Sequence, residues 1–201
     1  MRRALLIPLS LVLVLVGWST AGAADFYVIP VVKEKYAPVP KTGQNVSEVT
    51  GDDGDLQKGV ASPSPRFTDN GNGTVTDNLT GLIWAKNANA FDLRTWSQAV
   101  SDANSLEAGY GGLTDGSKPG DWRLPNIREL ESLIDYGNPN RAYPGTPFIN
   151  IGGDGGFNYW SSTFYMPWGP AFFWYVNFED GTRGYSWDDN LYYVWCVRGG
   201  K

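Results

Sequence analysis

From Arg66 onward, apolar positions recur in two rhythms. Between residues 95 and 106 they fall at Trp96, Ala99, Val100, Ala103 and Leu106, one stripe of a 3.6-residue helical period. Thr95 precedes the stripe and Gln98 follows three residues later, the spacing of a capping box. Residues 121–135, DWRLPNIRELESLID, place the same device behind a strand. Trp122 and Leu124 alternate around Arg123, Pro125 stops the strand, and Asn126 with Glu129 makes the second capping pair. Ile127, Leu130, Leu133 and Ile134 then line one helical face, and Tyr136-Gly137 ends the run. The rest of the chain has to pack on this strand–helix unit.

Elsewhere the period is two. Residues 67–77 read as two short strands around an Asn-Gly turn, and residues 82–84 as the next strand. A glycine-rich loop, residues 109–120, leads into the central unit. Beyond Asn138 the pattern is all strand, at residues 159–163, 172–178, 184–187 and 192–198, with Glu179-Asp180-Gly181 as a tight turn. Along residues 172–178, Phe172, Trp174, Val176 and Phe178 share one face, while Phe173, Tyr175 and Asn177 share the other. Apolar residues on both faces predict a central strand. Two helices with several antiparallel strands make an α+β domain over residues 66–200.

The N-terminus changes the picture of where the domain works. Met1-Arg2-Arg3, an apolar run at residues 5–16 and Ala21-Gly22-Ala23 predict a signal peptide over residues 1–23. The run is too short to span a bilayer, so no membrane span is expected after cleavage. Its strong apolarity favours general secretion over twin-arginine export, and no cysteine marks a lipoprotein. Residues 24–65 form an extension rich in Pro and Gly, either a solvated linker or a segment draped along the domain.

Charge and composition then exclude whole classes. The chain of 201 residues carries a net charge of −5, and loss of Arg2 and Arg3 takes it to −7. That balance argues against nucleic acid, heparin-like polyanions and anionic membranes. There is no histidine, which removes Ser-His-Asp and Cys-His catalysis and His-ligated zinc together. Cys196 is the single cysteine, so no internal disulfide can form. Its apolar setting, residues 194–197, reads as a small buried hydrophobe.

Aromatic density is the most informative chemical feature. Residues 157–195 hold 16 aromatics in 39 positions, more than a small domain can bury at roughly 150–250 Å² each. Tyr165, Trp168, Tyr185, Trp187 and Tyr192 lie in or near loops and are the candidate ligand-binding residues. Trp84, Trp122, Trp160 and Trp174 are expected to be structural. Arg123 is expected to anchor loop carbonyls with its fork of donors, against a reading in which it joins Arg128, Glu129 and Asp135 in a charged catalytic cluster. Asp69, Asn70, Asn72 and Asp77, and separately Asp188, Asp189 and Asn190, are candidate calcium ligands. Neither group has EF-hand spacing, and both also read as ordinary turn chemistry. No other cofactor is expected.

Several of these stretches together resemble a known family. Arg66-Phe67-Thr68-Asp69-Asn70-Gly71, Gly73-Thr74-Val75-Thr76-Asp77 and Thr80-Gly81-Leu82-Ile83-Trp84 resemble its opening signature. Asp121-Trp122-Arg123-Leu124-Pro125-Asn126 with Glu129-Leu130 resembles its middle. Tyr159-Trp160-Ser161-Ser162, Trp174-Tyr175-Val176-Asn177-Phe178 and Val197-Arg198-Gly199-Gly200 resemble its end. The family is the Lcl C-terminal domain, named after a Legionella collagen-like adhesin, and residues 38–44 and 51–60 also resemble its bacterial members. The resemblance implies a single C-type-lectin-like domain with two helices and a looped antiparallel sheet. It further implies a secreted binding or adhesion module, recognising a glycan or a cell-surface protein, in the periplasm or at the surface of a Gram-negative bacterium. A structural domain that oligomerises through the same aromatics is the alternative. The adhesin's domain is implicated in binding sulfated glycans and in trimer assembly, whereas this chain is acidic and has no collagen-like Gly-X-Y tract. Formylglycine-generating enzymes share the fold group but rely on a pair of cysteines, which one thiol cannot supply. A non-catalytic protein is therefore expected.

Overall fold

The computed structural model describes residues 39–138, 147–166 and 171–199. The expected signal peptide lies outside the described residues. Both capping boxes form as the sequence spacing requires. In α2 (Trp96–Ser105) the Thr95 side chain accepts from the Gln98 N–H, and Gln98 bonds back to Thr95. In α3 (Ile127–Glu131) Asn126 and Glu129 do the same. Helix α3 is shorter than its apolar stripe. Leu133 and Ile134 donate to Leu130 and Glu131 in tighter three-residue turns, and the stripe still buries Leu130, Leu133 and Ile134.

The remaining elements are strands. β1 (Phe67–Asp69) and β2 (Thr74–Asp77) form the expected hairpin, with Gly71 and Gly73 supplying the positive φ of its loop. β3 (Ile83–Ala85) pairs with β2 and with β7 (Val197–Arg198), giving an antiparallel sheet in the order β1-β2-β3-β7. A second antiparallel sheet has β5 (Phe172–Asn177) between β4 (Asn158–Phe164) and β6 (Arg183–Trp187). The α+β class and the central position of β5 follow the sequence pattern.

The expected looped sheet is thus two sheets. The cause is visible at residues 193–197, which are buried in unbroken succession, without the alternation of a sheet strand. Tyr192 bridges Arg94, Tyr193 bridges Tyr159 on β4, and Val197 bridges Arg123. This segment is a seam between the sheets. Two apolar clusters flank it, one holding Trp84, Leu130, Val176 and Trp195, the other Trp122, Trp160, Phe173 and Cys196. Each wholly buried tryptophan removes roughly 150–250 Å² from water, a gross gain of about 4–6 kcal/mol before chain entropy is charged against it.

The extension is draped, not detached, from residue 39 on. It contains a further short helix, α1 (Asp53–Leu56), capped by Asp52. Its Thr42 carbonyl accepts from the Tyr136 N–H at 3.0 Å. Gly137 lies so close that a Cβ there would sit 2.0 Å from the Gly43 oxygen.

Candidate functional site: an aromatic sheet face

In an antiparallel pair, directly opposed residues project from the same face. The β5–β6 register opposes Phe172 to Trp187, Trp174 to Tyr185, and Val176 to Arg183. Those six side chains therefore share one side of the second sheet. Tyr165 joins them from the end of β4, its N–H donating to the Phe172 carbonyl at 2.7 Å.

The rings lock one another. Tyr165 and Tyr185 stack at 4.1 Å, and Trp174 stands edge-on to both, at 5.0 and 6.1 Å. Phe172 lies 4.0 Å from Trp187 and edge-on to Tyr185. Tyr185 is 45% exposed and Trp187 53%, while Tyr165, Phe172 and Trp174 are half-buried. Where Val176 is reached the face closes, since Val176 shares a buried cluster with Leu130 of α3. Arg183 lies over the Trp174 ring at 5.4 Å and pairs with Glu131 of α3 at 2.7 Å.

The opposite side of this sheet is covered by α2 and stays open at its Phe164 end, where that ring is 47% exposed. Trp96 of α2 stacks on Phe173 at 3.6 Å, and its indole N–H donates to the Ser161 carbonyl. Tyr192, expected among the ligand-binding residues, lies on this covered side. Its ring contacts Trp160 at 4.5 Å and Tyr175 at 4.8 Å, and its hydroxyl lies 3.2 Å from that of Ser186. The sheet separates it from Tyr165, Tyr185 and Trp187. Trp168 lies outside the described residues.

Trp84, Trp122 and Trp160 are wholly buried, as a structural role requires. Trp174 is not with them: it stands in the exposed aromatic face, because α3 covers only the Val176 end. Phe172 joins the face without being a candidate on sequence grounds. Its alternation with Trp174 was visible, but which face stays open depends on where the helices dock. Arg123 makes two bonds to Glu129, both 2.7 Å, and one to the Gly199 carbonyl at 3.0 Å. It clamps the chain end to α3, and the carboxylate of Glu129 further raises its already high pKa.

In the hairpin, the oxygens proposed for calcium are already engaged. Asp69 pairs with Lys86 at 2.7 Å, and that bond, with the Gly71 N–H, holds its carboxyl below the usual carboxylate range. Asn72 accepts from the Thr74 N–H and hydroxyl. Asp77 is wholly buried and bound to Arg66, Leu79 and Thr80. Asp188 and Asp189 are exposed after β6, and Asn190 bonds Ser186. Among the described residues no three acidic or thiol groups gather as a metal site. Cys196 is buried, and burial pushes its thiol well up.

A separate open hollow of about 490 Å³ lies between the extension and the first sheet, lined by Lys41, Arg66, Phe67 and Asp135. Its arginine is committed to Asp77 and to the Ser132 carbonyl, so it offers little unclaimed chemistry.

Compared with known families, residues 73–198 match the model of the Lcl C-terminal domain. No curated protein and no solved structure matches the chain.

Proposed function

The chain belongs to the Lcl C-terminal domain family, named for an adhesin, and on that footing we propose that it is an exported, non-catalytic binding module that holds glycan on the aromatic face of the second sheet. One observation carries the reading: Tyr165, Phe172, Trp174, Tyr185 and Trp187, drawn from three strands, lie on one side that stays partly open to water. A pyranose ring has an apolar C–H face, and an aromatic ring presents a negative face that attracts such hydrogens. Because the rings already brace each other, little side-chain freedom remains to be lost on binding.

Three further features support it. The chain has no histidine, and the one thiol is buried and held protonated, out of reach of a substrate. The basic start and apolar run of residues 1–23 support export; among the described residues no helix is long and apolar enough to cross a membrane. The turn bonds that occupy Asp69, Asn72 and Asp77 favour binding without calcium.

Self-association through the same rings is the second reading, favoured by β6 being an edge strand with two exposed aromatics. A glycan array probed with the full chain and with a Tyr185→Ala, Trp187→Ala double variant separates the two. Selective binding that the variant loses at unchanged solution mass, and that chelator leaves intact, supports the module. A fall in mass in the variant with a blank array refutes it in favour of assembly.

A further inference from the structure

Resting on that reading of the face, we propose that its ligand is an uncharged polysaccharide, not a sulfated or carboxylated one. The argument begins with the charges that the sheet carries. Between residues 157 and 197 the sole basic residue is Arg183, against Glu179, Asp180, Asp188 and Asp189. All four acids are exposed, one pair at each end of β6, and so flank the strand that bears Tyr185 and Trp187.

Arg183 is already paired with an acid, which offsets its charge. Its guanidinium is bound to Glu131 at 2.7 Å, and it lies over Trp174. Arg128 of α3 bonds the same Glu131 at 3.3 Å, so the two arginines share one carboxylate at the α3 end of the face. A polyanion laid along β6 would bring its charges within a Debye length, about 8–10 Å at ordinary salt, of both acidic pairs. Ring faces repel anions for the same quadrupolar reason that they attract cations and C–H groups. Neutral sugar hydroxyls, by contrast, are donors that exposed carboxylates accept strongly.

The dimensions point to a polymer. Tyr185 and Trp187 are two residues apart on β6, about 6–7 Å along the strand, and Tyr165 stacks on Tyr185 at 4.1 Å, so the exposed rings extend along β6. Two exposed rings spaced along one edge strand offer contacts to more than one ring of a chain.

Affinity electrophoresis of the full chain tests this with hydroxyethyl cellulose, mannan and dextran as neutral probes, and heparin and alginate as anionic ones. Each gel is run at about 0.05 M and about 0.5 M salt, conditions that separate screened from unscreened contacts. Retardation by at least one neutral polymer, changing less than about twofold with salt and lost in Trp187→Ala, is the expected result. Circular dichroism of that variant confirms that it is folded. Retardation by heparin or alginate that weakens with salt and disappears in Trp187→Ala overturns the ligand class and keeps the face. Retardation of any kind that persists in Trp187→Ala overturns the face. No retardation by any polymer overturns both the ligand class and the glycan reading.

Discussion

Asp77→Ala removes a wholly buried carboxylate whose partners can be counted. It accepts from the Leu79 N–H at 2.9 Å, from the Thr80 hydroxyl at 3.0 Å and from Arg66 at 3.3 and 3.5 Å. Arg66 also donates to the Ser132 carbonyl just after α3, so the pair ties the first hairpin to the helix that supports the aromatic sheet. Cutting one partner of a buried ion pair costs about 3–5 kcal/mol. Arg66 keeps Ser132, and its side chain is 16% exposed, so the lower end, about 3 kcal/mol, is expected. Against a total of about 5–15 kcal/mol the variant folds but is much weakened. Urea unfolding followed by tryptophan fluorescence reads the change as a lower midpoint at unchanged slope. Arg66→Met and the double variant complete a cycle, and a coupling above about 1 kcal/mol is predicted. A loss below about 1 kcal/mol for Asp77→Ala, or additivity within about 0.5 kcal/mol, refutes the reasoning.

Two further predictions concern the hairpin loop and the extension. Gly73 and Gly71 both have positive φ, but a Cβ on Gly73 would meet the Gly112 oxygen at 2.3 Å while one on Gly71 meets nothing. Gly71→Ala should cost about 1–2 kcal/mol for backbone conformation alone, and Gly73→Ala clearly more; equal midpoints in urea contradict the packing argument. Asp52 caps α1, and N–H groups of Asp55, Glu48 and Val49 hold its carboxyl down at about 2. A lowered carboxylate pKa stabilises above the unfolded value, near 4, and the benefit is lost as pH falls through about 2. Shifts of the Glu48, Val49 and Asp55 amides that donate to Asp52 should therefore hold steady through about pH 4 and move with a midpoint of about 2; a midpoint near 4 instead contradicts the cap.

The elements were legible because their signals are local. Thr95 with Gln98 and Asn126 with Glu129 needed only spacing to announce two capped helices, and the alternation in residues 172–178 was enough to make β5 central. What was not legible depends on distant partners. Trp174 and Tyr192 look alike in sequence and are both half-buried, and only the pairing of the strands puts one with Tyr185 and the other with Tyr175 on opposite sides of the sheet. Similarly, residues 192–198 carry strand-like residues, yet only Val197–Arg198 pair as a strand, and the unbroken burial of residues 193–197 makes them a seam between two sheets. The acids of the hairpin could have served calcium by type alone; Lys86 and Arg66, from outside the turns, pair with Asp69 and Asp77, and the local hydroxyls of Thr74 and Thr80 engage the rest.

The central claim is that ligand lies on the Tyr185–Trp187 face, and a comparison of two exposed aromatics tests it most directly. Tyr110 is 47% exposed and stacks on Phe91, away from the second sheet. Affinities of the full chain, Trp187→Ala and Tyr110→Ala for the same retarding polysaccharide should be measured side by side. The account predicts at least a tenfold loss, about 1.4 kcal/mol, for Trp187→Ala and no change for Tyr110→Ala. Unchanged binding in Trp187→Ala, or a loss confined to Tyr110→Ala, contradicts it.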